Sequence, residues 1–283
     1  MRRSLPLTAL LTSTALALTA CGSDTGAPDP DGGTAPSGSA AGAEPLTVGV
    51  SPVPHAEILQ FVDEELAAGA GIDLELVEFT DYVQPNAALD DGSLDANYFQ
   101  HEPYLAEQEA AAGYDFAAVT PVHLEPLGLY SGSVQEVADL PDGAQVAIPN
   151  DPTNAARALR LLADQGLLTL ADTGGASATV LDVADNPRNL ELVEIEAAQL
   201  PRSLTDVDAA VINGNYAIEA DLSPAEDAIA AEAADGNPYA NLLVVRAGDE
   251  TDERVATLAE LLGSEEVARF IEDTYGGAVV PAA

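Results

Sequence analysis

Short apolar runs of strand length alternate along this chain with longer helical patterns. No other feature restricts the fold as much. The runs Leu46–Val50, Leu74–Phe79, Gln145–Ile148, Leu190–Ile195, Ala209–Ile212 and Leu242–Val245 predict strands. Between them, His55–Ala68 places Ile58, Leu59, Phe61, Val62 and Leu66 near one helical face. Thr153–Gln165 does the same with Ala156, Leu159, Leu162 and Ala163, and Gly166 ends it. Ser223-Pro-Ala-Glu226 reads as a capping box with proline at the first helical position. Strands and helices in alternation predict an α/β fold whose sheets are mainly parallel and flanked by helices.

The chain also echoes itself. Leu74-Glu-Leu-Val-Glu-Phe79 recurs as Leu190-Glu-Leu-Val-Glu-Ile195, Pro85 as Pro201, and Asp95-Ala96 as Asp208-Ala209. Alternating apolar strands also look alike without duplication. A true echo implies two similar lobes rather than one sheet, with lobe 1 formed by 46–129 plus 238–283 and lobe 2 by 130–237. Two lobes with a cleft between them suit a protein that closes on a ligand.

The first 45 residues are of another kind. Arg2 and Arg3 precede an uncharged apolar run, Leu5–Ala20, too short to span a membrane as a helix, which takes about 20 apolar residues. The ending Leu18-Thr-Ala-Cys21 resembles a bacterial lipobox, which implies that residues 1–20 are a signal peptide cut before a lipid-bearing Cys21. An ordinary signal with an incidental cysteine is the alternative. A single cysteine excludes an intrachain disulfide and a cysteine metal cluster. From Cys21 to Pro45 the chain is rich in Gly, Pro, Ser, Ala and Asp and reads as a flexible tether. The folded part that remains is long enough for two medium lobes.

Charge narrows the partners. The chain has 48 acidic residues against nine arginines and no lysine, a formal charge of -39. Such a surface repels nucleic acid and anionic lipid. It also disfavours anionic small ligands, and a zwitterion suffers least. Solubility or codon bias explains the acidity equally well.

In open α/β sheets, ligands bind past the carboxyl ends of strands. Thr80-Asp-Tyr82, Asn150-Asp-Pro-Thr153 and Asn213-Gly-Asn-Tyr216 lie at such ends. The helix opening after Asn150 offers free N–H groups to a carboxylate. Arg157, in its first two turns, can hold a carboxylate bidentately, or pair with a nearby acid.

Several of these stretches resemble one family. Phe79-Thr-Asp-Tyr-Val-Gln-Pro-Asn86, Asp95-Ala-Asn-Tyr-Phe-Gln-His101, Ile148-Pro-Asn-Asp-Pro-Thr-Asn154, Glu196-Ala-Ala-Gln-Leu-Pro-Arg-Ser203 and Ala210-Val-Ile-Asn-Gly-Asn-Tyr216 are similar to the methionine-binding lipoproteins of the NlpA/MetQ family. The likeness runs from about Leu46 to Pro281 and extends to the lipobox. It implies a two-lobed periplasmic-binding-protein-like fold and capture of methionine outside the cell for an ABC permease and its ATPase subunits. The implied location is the extracytoplasmic face of the cell membrane, held by lipid at Cys21. By the same resemblance, Tyr82, Phe99 and His101 surround the ligand side chain, Arg157 holds its carboxylate, and Asn213 and Asn241 fix its backbone. The chemistry agrees, since a thioether packs well on aromatic edges and amides both donate and accept. Each residue also has an ordinary reading: Tyr82 and Phe99 as core, His101 as a helix cap, Asn213 as turn chemistry.

Other functions are less well supported. The chain has no Gly-x-Ser-x-Gly elbow, His-Glu-x-x-His or phosphate loop, so no enzyme is expected. His55, His101 and His123 are too scattered to predict a metal receptor, and no cofactor is expected. A receptor for another small amino acid or a methionine-containing dipeptide stays open.

Overall fold

The computed structural model describes residues 44–173 and 178–282. The expected signal peptide, Cys21 and nearly all of the tether lie outside the described residues. No described helix is long and apolar enough to cross a membrane.

The strands in chain order are β1 (Leu46–Val50), β2 (Leu74–Glu78), β3 (Ala96–His101), β4 (Phe116–Leu124), β5 (Gly128–Tyr130), β6 (Gln145–Pro149) and β7 (Thr169–Leu170). They continue with β8 (Val183–Asp185), β9 (Glu191–Ile195), β10 (Ala209–Ile212), β11 (Ala230–Ala231), β12 (Asn241–Arg246) and β13 (Val280–Pro281). They form a six-stranded sheet, β13-β4-β12-β3-β1-β2, and a five-stranded sheet, β11-β5-β10-β6-β9, with β7-β8 as a small hairpin. The chain passes from the first sheet to the second between Leu124 and Gly128, and returns between Ala231 and Asn241.

The echo has a structural counterpart. In the first sheet β1 pairs in parallel with β2 and β3; in the second β6 pairs in parallel with β9 and β10. Asp95, just before β3, accepts from the Thr47 N–H through Oδ2 at 3.0 Å. Asp208, just before β10, does the same for Gln145 at 2.8 Å. Each aspartate so fixes the register of a third strand against the first. Pro85 and Pro201 each lie in the first turn of a helix, Gln84–Asp90 and Leu200–Ser203, where a missing N–H costs nothing.

Parallel pairing does not extend across either sheet. β12 runs antiparallel to β3 and β4, and β5 antiparallel to β10 and β11. These strands flank the passages between sheets and enter without a helical crossover, so no rule makes them parallel. Inner strands β3 and β10 are buried along their whole length, which matches their place between two other strands with both faces covered. β4 carries Pro121, opposite Leu242, and the register of β12 against β4 shifts between Asn241 and Leu242 and again between Leu243 and Val244, irregularities that suit a strand with a missing donor.

The helix expected from Ser223 is a single turn instead. Asp227 N–H donates to Ser223 O at 2.8 Å and Asp227 Oδ2 takes the Ser223 N–H at 2.7 Å. The chain turns back on itself there and enters β11 within a few residues.

Candidate functional site

A cavity with about 350 Å³ of empty space lies among the ends of β3, β12 and β10 and the helix Pro152–Asp164. Tyr82, Phe99, His101, Arg157, Asn213 and Asn241 all line it. The structure thus brings together all six residues that the sequence nominated. It adds Gln100, Tyr104, Glu125, Asn154, Gly214 and Asn215 to the lining.

The helix Pro152–Asp164 is positioned by its own start. Asp151 Oδ1 accepts from the Asn154 N–H at 2.9 Å, an N-cap, and Pro152 occupies the first turn. Starting the helix there places Asn154 and Arg157, three residues apart, on one face. Asp151 also holds the Asn154 amide nitrogen at 3.0 Å, so Asn154 Oδ1 turns toward the cavity. It accepts from Asn213 Nδ2 at 3.0 Å and lies 3.2 Å from His101 Nε2. Asn213 Oδ1, also buried, has no hydrogen-bond partner among the described residues.

Arg157 is 4 % exposed and already has a partner. Its Nε donates to Glu232 Oε1 at 2.8 Å and its Nη2 to Glu232 Oε2 at 2.5 Å. Nη2 also donates to the Glu125 carbonyl at 2.9 Å, and the guanidinium lies 4.3 Å from the Tyr239 ring centre. Among the described residues, Nη1 has no such partner. The guanidinium is therefore fixed on one edge by Glu232 and over one face by an aromatic ring, which pre-organises it for a further anion.

The aromatic wall is larger than the sequence predicted. Tyr82 lies 6.1 Å from Phe99, 5.9 Å from Tyr104 and 5.0 Å from Tyr216, ring centre to ring centre. His101 lies 5.0 Å from Tyr239. Burial lowers the His101 pKa to about 3, with Arg157 adding to the shift, so its ring is neutral near pH 7. Its Nδ1 caps the next helix by accepting from the Tyr104 N–H at 3.2 Å, so the capping reading and the cavity reading both hold.

Glu125 is the group that sequence reasoning missed. It is 6 % exposed and lies on the first passage between the sheets. His123 Nε2 approaches its Oε1 at 2.7 Å, and the Asn215 N–H donates to its Oε2 at 2.7 Å. His55 Nε2 is 3.5 Å from the same Oε1, and among the described residues neither of its ring nitrogens makes a hydrogen bond of good geometry. Tyr98 OH bonds to His123 Nδ1. Burial lowers His55 to about 4 and His123 to about 3, and pushes Glu125 up. The metal reading grouped His55 and His123 with His101. The structure sets the first two beside Glu125 and leaves His101 with Asn154.

Hydrogen bonds join the two sheets across this cavity. Tyr82 OH donates to Asn215 Oδ1 at 2.5 Å, and Tyr216 OH to the Thr80 carbonyl at 3.3 Å.

Two α/β lobes closing on a buried polar cavity define a substrate-binding protein of the periplasmic-binding-protein class. Residues 46–283 match the NlpA lipoprotein family, and the chain belongs to that family. It is similar to the D-methionine-binding lipoprotein MetQ of Escherichia coli, with 46% identity over 212 residues, 74% of this chain and 78% of that protein. A probable D-methionine-binding lipoprotein MetQ of Vibrio cholerae is 43% identical over 83% of this chain and 87% of its own length. Among solved structures, a nutrient binding protein from Burkholderia cenocepacia bound to methionine superposes with a TM-score of 0.81 at 47% identity, covering 84% of this chain and 100% of that one.

Proposed function

We propose that this chain is the substrate-binding lipoprotein of a methionine ABC importer. It captures methionine outside the cell and delivers it to a membrane permease driven by ATPase subunits. The observation that carries the reading is the convergence of Tyr82, Phe99, His101, Arg157, Asn213 and Asn241 on one cavity, in a chain 47% identical to a protein solved with methionine bound. In this reading Arg157 holds the ligand carboxylate, through Nη1 and with its other edge set by Glu232. Asn213 and Asn241 fix the ligand backbone, and the rings of Tyr82, Phe99 and His101 pack on the thioether. Lobe 1, expected at 46–129 plus 238–283, and lobe 2, expected at 130–237, are hinged at the two passages between sheets, and β5 as a strand of the second sheet goes wholly with lobe 2. Cys21 carries the lipid that holds the protein on the extracytoplasmic face of the membrane.

Mass spectrometry of the ligand released from freshly purified protein tests the substrate: methionine is expected, and another small amino acid or a dipeptide in its place would overturn the assignment. Fractionation of cells carrying Cys21→Ser tests the anchor: the variant is expected in the soluble fraction, and unchanged membrane retention with the same lipid mass would refute it.

A further inference from the structure

Among the described residues, the cavity holds one cation and one carboxyl group with no cationic side chain bonded to it. Arg157 is neutralised by Glu232 on its outer edge. Glu125, whose carboxyl group also faces the cavity, makes its own contacts with His55 and His123, both held uncharged by burial, and with a backbone N–H from Asn215, while the guanidinium of the nearby Arg157 is engaged by Glu232. A buried carboxylate without a cation is costly. Gly214 shows how tightly the group is held, because a Cβ at that position would sit 2.6 Å from Glu125 Cβ. Next to it, buried in the same cavity, is the unpartnered acceptor Asn213 Oδ1. Two acceptors, one of them anionic, form a receptor for a group with several donors and a positive charge, which describes a primary ammonium. The location fits as well. Arg157 Nη2 donates to the carbonyl of Glu125 itself at 2.9 Å, so the cationic and anionic anchors are neighbours. An α-amino acid carries its carboxylate and ammonium on one carbon.

We propose that Glu125, held in place by His123 and Asn215 and assisted by Asn213, anchors the α-ammonium of the ligand and makes the site selective for free amino acids over N-acylated ones and over peptides in which the methionine nitrogen is an amide. This rests on the receptor reading above. His123 is a positioning residue: with Tyr98 on Nδ1, its Nε2 sets the direction of the carboxylate. A metal held by His55, His123 and Glu125 is the competing occupant. It is less favoured because both ring nitrogens of His123 already make hydrogen bonds.

The test is calorimetry on the full chain, stripped of endogenous ligand, with methionine, N-acetylmethionine and the des-amino analogue of methionine. Wild type is expected to bind methionine on the order of a hundredfold more tightly than the des-amino analogue, and N-acetylmethionine no better than that analogue. The isosteric Glu125→Gln is expected to lose about that factor for methionine and to bind the des-amino analogue within a few-fold of wild type, so that the preference collapses. Wild type binding N-acetylmethionine as tightly as methionine would overturn the proposal without any variant, and so would an unchanged preference in Glu125→Gln. Loss of methionine binding on treatment with a chelator would overturn it in favour of a metal. A wild type that binds another free amino acid and not methionine would refute the substrate assignment alone, and the same comparison between that amino acid and its des-amino form would then decide the role of Glu125.

Discussion

Two glutamates stand on the two passages between the sheets, and their surroundings differ in kind. Glu232, on the returning passage, is 13 % exposed and bonds both oxygens to Arg157. Glu125, on the outgoing passage, is 6 % exposed and meets two uncharged histidines. The first ion pair is complete in the chain itself; the second lacks its positive half. In the proposed reading a zwitterion supplies what each end lacks: an anion for Arg157 and a cation for Glu125. Both acids lie on the passages between the sheets, so in the proposed reading, with hinges there, ligand charge and lobe position would be coupled at the same residues.

The comparison is broken most directly at its cationic end. Arg157→Ala leaves a buried ligand carboxylate unpaired, at about 3–5 kcal/mol. That corresponds to roughly a hundredfold to several thousandfold in affinity. Arg269→Ala, on the exposed surface, is expected to leave binding unchanged. Calorimetry on both variants decides it, and equal dissociation constants for wild type and Arg157→Ala would remove the arginine from the site.

The anionic end is expected to respond to pH. Burial holds Glu125 above the ordinary carboxylate range in the unliganded protein. An ammonium beside it stabilises the ionised form and lowers its pKa again. Ligand binding then releases a proton, and affinity rises with pH until the unliganded pKa is passed, by at most about tenfold per unit. The groups facing Glu125 do not reverse this sign. His55 and His123 take up protons only near pH 4 and 3. Affinity measured from pH 5 to 8 should fall toward acid in wild type and be flat in Glu125→Gln. A flat wild-type profile would mean that Glu125 does not change protonation on binding.

Glu232 sharpens the contrast. Glu232→Gln takes the internal anion away from Arg157, so the ligand carboxylate becomes its main counterion. Methionine is expected to bind up to about tenfold more tightly, while the unliganded protein melts at a lower temperature. Weaker binding instead would show that Glu232 serves mainly to orient the guanidinium.

The sequence made one half of this contrast legible and hid the other. Arg157 stood out because cations are rare and because it follows a helix start. The aromatic residues and Asn213 lay in motifs of a recognisable family, and Asn241, named by the same resemblance, also lines the cavity. Glu125 and Glu232 gave no such signal, being two acids among 48. Only contact with a buried arginine, or the lack of one, sets them apart. The same holds for the fold. β1 and β10 were read to the residue because they are short apolar runs between turn signals. β3 was not, because Asn97, Gln100 and His101 interrupt it; they are tolerable inside a sheet because Asn97 and Gln100 bond to Asn86 and to each other. β4 was masked by Pro121. The Ser223 capping box was a valid local signal with too little chain after it to form a helix.

The smallest expected effect concerns the hydrogen bond across the cleft from Tyr82 to Asn215. Tyr82→Phe keeps the ring, its contacts with Phe99, Tyr104 and Tyr216, and hence the aromatic wall. It removes only the hydroxyl that donates to Asn215 Oδ1. Asn215 is also the residue whose N–H holds Glu125, so the lost bond loosens the anionic end and leaves Arg157 untouched. One hydrogen bond between uncharged groups contributes about 0.5–1.5 kcal/mol, a two- to tenfold weakening of binding. The loss should be the same for methionine and its des-amino analogue if the bond serves only closure, and larger for methionine if it also fixes Glu125. Calorimetry with both ligands separates the two outcomes. We expect the second, because Asn215 holds both groups: its side chain takes the Tyr82 hydroxyl and its N–H holds the Glu125 carboxylate.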